Sequence, residues 1–102
     1  MGIFGSFFGS SSDKYSQKEH PLPEIKIREL VSRIKVRSMD QGEENLVEEE
    51  IIKARLGDGK ISLRKIDEIL RRLVNTNKIS ITDKKSLIHI FSDYYNDHFG
   101  KS

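Results

Sequence analysis

The chain contains no cysteine, which excludes disulfides, thiolate metal sites and thiol nucleophiles together. Long apolar runs are missing as well. No stretch approaches the roughly 18 to 20 consecutive apolar residues that cross a bilayer as a helix. The apolar patch at the start has no basic flank before it and is shorter than a signal-peptide core. The expectation is an intracellular, cytoplasmic protein with room for peripheral membrane contact. Hydrophobic residues are 35% of the chain against 33% charged, below the apolar share of an ordinary globular domain. A core must therefore come from a few strongly periodic segments. Paired catalytic carboxylates, a Ser/His/Asp set and a phosphate-cradling glycine loop do not occur at recognisable spacing. The sequence reads as non-enzymatic and implies no cofactor.

What is present is charge, and it is segregated. The formal net charge is +2 over 102 residues, a length that suits one domain with tails. Residues 40 to 50, DQGEENLVEEE, carry six acids and no base. Residues 53 to 78 carry eight bases against three acids, a local +5, and residues 13 to 37 carry seven against four, a further +3. Such a pattern is either a footprint for an anionic partner or two faces of one fold that neutralise each other.

Residues 9 to 20, GSSSDKYSQKEH, are nearly devoid of apolar side chains, and the composition predicts a disordered linker. Residues 1 to 20 are thus read as a flexible tail, 21 to 99 as a helical domain and 100 to 102 as a frayed end. Pro23 fits a first helical turn, where its missing N–H would be unpaired in any case. In EIKIRELVSRIKVRSM, Ile27, Leu30, Val31 and Ile34 share one stripe at helical spacing. The I-x-I and I-x-V doublets, with Ile25 and Val36 off the stripe, leave a strand as the minority reading. Asp40 followed by Glu43 has the form of a capping box, and acids crowd the first turn, where the helix dipole favours them. Val47, Ile51 and Ala54 form one apolar side of that helix, with Ile52 and Leu56 on another, before Gly57 and Gly59 end it.

An echo follows at a spacing of 18. Lys60-Ile61-Ser62 matches Lys78-Ile79-Ser80, and Ile69-Leu70 matches Leu87-Ile88. Each copy reads turn, Ile, Ser or Thr cap, amphipathic helix. Ser62 as N-cap places Ile61 and Ile66 as a hydrophobic staple, while Ser80 or Thr82 caps the second copy. The period is short for a solenoid unit, and is read as one helix-entry device used twice. Leu87, Ile88, Ile90, Phe91, Tyr94, Tyr95 and Phe99 cover about half the helical wheel of the last segment, the mark of a central core helix. The fold class is therefore all-α: a small bundle of four helices near 22–38, 42–56, 62–74 and 82–98.

Several local patterns resemble sites without completing them. Aligning Gly59 with the glycine of a calcium loop places Ala54, Leu56 and Lys65 where carboxylates are needed. His89, Asp93 and Asp97 recur at i, i+4, i+8, but opposite the aromatic arc, where nothing completes a metal shell. The bases Lys26, Arg28, Arg33, Lys35 and Arg37 flank the apolar stripe of the first helix. Arg64, Lys65, Arg71 and Arg72 sit on the third among Asp67 and Glu68, at spacings where opposite charges pair along a helix. Carboxylates inside a phosphate-facing surface oppose counterion release. The favoured reading of the first helix is pairing with the acids of the next. Nucleic-acid or anionic-surface contact through these nine bases is the second.

The tail carries the sharpest clue. Ile3, Phe4, Phe7 and Phe8 lie within about 140° of one another on a helical wheel, with glycines and serines opposite. Burying these four side chains yields roughly 1.5 to 3 kcal/mol each, while ordering eight backbone units costs about 1 to 2 kcal/mol each. The balance is near zero, so the segment binds a membrane weakly unless it is multiplied, acylated or received by a preformed groove. Gly2 and Ser6 fit the loose pattern for N-myristoylation, which itself needs a second membrane signal. The sequence-level reading is an interaction or adaptor module docked to a membrane surface or partner groove through Gly2, Ile3, Phe4, Phe7 and Phe8. A protein partner or self-association would supplement its small core.

Overall fold

A computed structural model describes residues 15–33 and 39–100. Four helices form the all-α bundle: α1 (Glu24–Ser32), α2 (Gln41–Ala54), α3 (Leu63–Asn75) and α4 (Ile81–Phe99). Two three-residue strands, β1 (Glu19–Pro21) and β2 (Lys60–Ser62), add an antiparallel ribbon in which His20 faces Ile61. Sequence reading anticipates the helices and not the ribbon.

Three of the four helices start where a side chain supplies an acceptor for the unpaired N–H groups of the first turn, while α1 begins after Pro23 with no side-chain cap. Asp40 Oδ1 accepts from the Glu43 amide at 2.8 Å, and Glu43 Oε1 accepts from the Asp40 amide at 2.9 Å, which closes the expected capping box. Ser62 Oγ accepts from Lys65 N at 3.0 Å, and Ser80 Oγ accepts from Asp83 N at 3.0 Å. The two serines of the echo are both N-caps, and Ser80 rather than Thr82 starts α4. Between β2 and α2, Gly59 has φ +84°, a left-handed conformation that only glycine adopts freely. Its carbonyl accepts from Leu22 N and its amide donates to Leu56 O.

The core joins Ile27, Leu30 and Val31 of α1, Val47 and Ile51 of α2, Ile66, Leu70 and Leu73 of α3, and Leu87, Phe91 and Tyr95 of α4. Phe91 and Tyr95 are the largest fully buried side chains, which makes α4 the central helix. Residues 24–32 are helical, so the strand reading does not hold for that stretch, and α1 ends at Ser32, short of the expected limit at 38. Ile34, Val36 and the remainder of that limit lie outside the described residues. Ile52 is half-buried against the core, whereas Ile25 and Leu56 are exposed.

Among the described residues, ion pairs bridge consecutive helices. Arg28 donates to Glu48 at 2.8 Å between α1 and α2, and Arg72 to Glu50 at 2.6 Å between α3 and α2. Lys84 of α4 lies 3.3 Å from the buried Asp67 of α3. The acidic 40–50 segment is thus met by Arg28 of α1 on one side and Arg72 of α3 on the other.

Candidate functional site

Eight residues before α1 form a strap across the domain. The Arg64 amide donates to Ser16 O at 3.2 Å and Arg64 Nε donates to Tyr15 O at 3.3 Å. The ribbon continues from there, and Arg55 donates through a guanidinium nitrogen to Leu22 O at 3.1 Å. Tyr15 packs against the core from one side of the strap. On the other, the His20 ring stacks on Phe99 with centroids 4.2 Å apart and meets Tyr95 edge-on at 5.8 Å. Residues 15 to 20 therefore belong with the helical domain rather than with the linker that their composition suggests. Their backbone partners come from residues 55 to 64, far away in sequence, and polar composition carries no sign of that pairing. The rest of the expected linker, residues 9–14, and the patch Gly2, Ile3, Phe4, Phe7 and Phe8 lie outside the described residues.

A cleft of about 420 Å³ opens beside the strap. Ala54, Leu56 and Ile61 give it apolar lining, Lys60, Arg64 and Lys65 give it cations, and Gln17 and Glu19 contribute the strap side. Leu56 is 49% exposed there.

The bases singled out in the sequence separate into several environments. On α1, Lys26 pairs with Glu29 at 2.7 Å and stands over the Tyr94 ring, and Arg33 reaches Glu29 at 3.2 Å. Arg28 meets Glu24, Glu48 and Glu49 at 3.0, 2.8 and 3.7 Å. On α3, Arg72 is bound to Glu50, Arg64 grips the strap, Arg71 is half-buried and Lys65 is exposed at the cleft. Lys35 and Arg37 lie outside the described residues. The structure thus brings Arg64 and Lys65 to one cleft, and leaves Lys26, Arg28, Arg33 and Arg72 engaged with carboxylates. Arg55, which sequence reading passes over, proves to hold the strap. Its signal was weak: a base at the end of an acidic helix ordinarily reads as a complement to the helix dipole.

Burial and neighbouring charge perturb three groups that matter to this arrangement. Desolvation pushes the Glu48 carboxyl up, against the Arg28 hydrogen bond and charge, with Glu44 and Glu49 adding to the rise. His20 is held below the usual histidine range by burial first, then by the charges of Lys18 and Lys60. The Tyr95 hydroxyl is pushed far up by burial, with a smaller contribution from Tyr94. His89 and Asp93 lie exposed and 3.3 Å apart, while His98 stacks on Tyr94 at 4.1 Å.

No protein-family model, no curated protein and no solved structure matches this chain. No helix among the described residues is long and apolar enough to cross a membrane.

Proposed function

We propose that the protein is a non-enzymatic interaction module whose N-terminal segment, through Ile3, Phe4, Phe7 and Phe8 beside Gly2, docks into an apolar groove of a protein partner. The observation that carries this reading is the strap. The chain that follows the Phe-rich segment is tied to the domain by two hydrogen bonds from Arg64 and by the ribbon. A peptide ligand rooted in this way moves with its domain, and the domain supplies a fixed base for it. Weak intrinsic binding suits a groove, where apolar side chains meet a surface that is already shaped to receive them. The ion pairs of Lys26, Arg28, Arg33 and Arg72 favour this reading over a nucleic-acid module, since phosphates would have to displace carboxylates already in place.

The test compares the full chain with a variant lacking residues 2 to 9, after circular dichroism has established equal folding. The expected result is loss of partner capture in affinity purification, with no change in sedimentation with vesicles of neutral or anionic phospholipid. Unchanged capture overturns the reading. Loss of vesicle sedimentation instead redirects the segment to a membrane surface. Binding of random duplex DNA at low salt, where phosphate contacts are strongest, would support the second reading in its place.

A further inference from the structure

We propose that the cleft beside the strap is an internal receptor for the same N-terminal segment, so that the protein holds its own docking peptide in a closed state until a partner competes for it. This inference rests on the interaction-module reading and adds its regulation.

Three observations meet at one place. The described chain begins at Tyr15, whose carbonyl is bound by Arg64, and Arg64 lines the cleft. Gln17, two residues further, lines it too. The six residues Gly9 to Lys14 span at most about 20 Å when extended, so Phe8 and the residues before it are tethered within reach of the cleft. A short tether of this kind presents its ligand at an effective concentration in the millimolar range. At that concentration a cleft affinity of about one millimolar is enough to fill the cleft half of the time.

The lining suits phenyl rings. Leu56, half-exposed, with the half-buried Ala54 beside it, offers apolar contact, and the buried Ile61 forms the floor behind them. The cations Lys60, Arg64 and Lys65 stand around it, placed to cover ring faces with their stems or to approach them with their charges. The volume of about 420 Å³ falls within the ordinary size range of ligand pockets. Glu19 and Glu68 share the rim, and with them the cleft is close to electroneutral. That matches a segment which carries no charge and argues against an acidic peptide or a phosphate as occupant.

The experiment uses the full chain labelled for methyl and amide NMR. Replacing Phe4, Phe7 and Phe8 together by serine is expected to shift the resonances of Ala54, Leu56 and Ile61 and to leave those of Leu87 and Phe91 in place. Absence of shifts at the cleft overturns the proposal. So does a cleft shift that disappears on dilution of the unsubstituted protein, which would assign the occupant to a second copy. Leu56→Asp supplies an independent readout, because Leu56 is exposed and its loss leaves the core intact. The variant is expected to raise the rate of chymotryptic cleavage after the N-terminal phenylalanines by about two- to tenfold, the change that follows from emptying a closed state populated at roughly one half to nine tenths. An unchanged cleavage rate overturns self-docking. If it is unchanged while deletion of residues 2 to 9 still abolishes partner capture, the interaction-module reading stands alone. If the cleft shifts appear while capture survives that deletion, self-docking stands and the partner role falls.

Discussion

The Tyr95 hydroxyl donates a 2.7 Å hydrogen bond to the carbonyl of Ile61, from the C-terminal half of α4 to the middle of β2. Both residues are buried, so the bond ties the ribbon to the core at a point water does not reach. Tyr95→Phe removes the donor and little else. The expected loss is about 0.5 to 1.5 kcal/mol, or a melting point lower by about 4 to 8 °C per kcal/mol for a domain of this size. Thermal unfolding followed by circular dichroism measures it.

The same residue sets an alkaline limit. Burial raises the Tyr95 pKa in the folded state, so the unfolded chain releases this proton first. Its contribution to stability is whole below the ordinary tyrosine value of about 10 and falls as pH rises above it. Denaturant midpoints measured from pH 8 upward are expected to decline once the pH passes the ordinary tyrosine range. In Tyr95→Phe, that component of the decline disappears.

Arg28 and Glu48 are expected to respond unequally. Glu48 is buried and its charge is disfavoured there, while its partner is partly exposed. Glu48→Gln keeps an acceptor for Arg28 and removes the buried charge, so stability at pH 7 is expected to hold or rise. Arg28→Ala leaves a buried carboxylate without its main partner, and a loss of stability is expected, moderated by solvent screening of the exposed guanidinium. The double variant is expected to recover part of that loss, and a double-mutant cycle by denaturant titration reads the coupling.

His20 gives the strap a dependence on mild acid. Its folded pKa is depressed, so its stabilising contribution is present above the ordinary histidine value and lost as pH falls through the lower folded value. The amide of Leu22, which donates to Gly59 O, is expected to exchange faster at pH 5 than at pH 7.5 once intrinsic rates are corrected. His20→Phe, which keeps a ring on Phe99, is expected to abolish the difference.

Ser62 and Ser80 open helices by the same device, and each is expected to lose about 1 kcal/mol on change to alanine. The consequences differ in place. Ser62 lies at the end of the ribbon, opposite Glu19, so Ser62→Ala is expected to raise exchange of the Arg64 amide, which holds the strap at Ser16 O, and Ser80→Ala to leave it unchanged.

The helices were legible because their signals are local. Asp40 with Glu43, Ser62, Ser80 and the aromatic spacing of α4 are all readable within a few residues, and the structure uses each as the pattern implies. The strap was not legible, because its causes lie elsewhere. Three residues reading Glu-His-Pro show no alternation, and only the presence of Ile61, Arg64 and Phe99 around them makes a strand of that stretch. The charge segregation was legible as a choice between partner and self, and the pairs of Arg28 with Glu48 and Arg72 with Glu50 show acid and base meeting within the fold. The cleft depends on Leu56 remaining outside the core. A hydrophobic side chain at a helix end does not announce that in sequence.

The stacking of His20 on Phe99 also sets an order of events in time. The two rings are 79 positions apart, so a chain emerging from the ribosome has the first half of the strap long before it has the aromatic ring to close it on. At about 5 to 20 residues per second, roughly 5 to 20 seconds separate the synthesis of Phe8 from that of Phe99. During that interval the ribbon lacks its aromatic backing. Closure of the strap on Phe99 therefore waits for the last helix to be made, and comes among the final steps of folding.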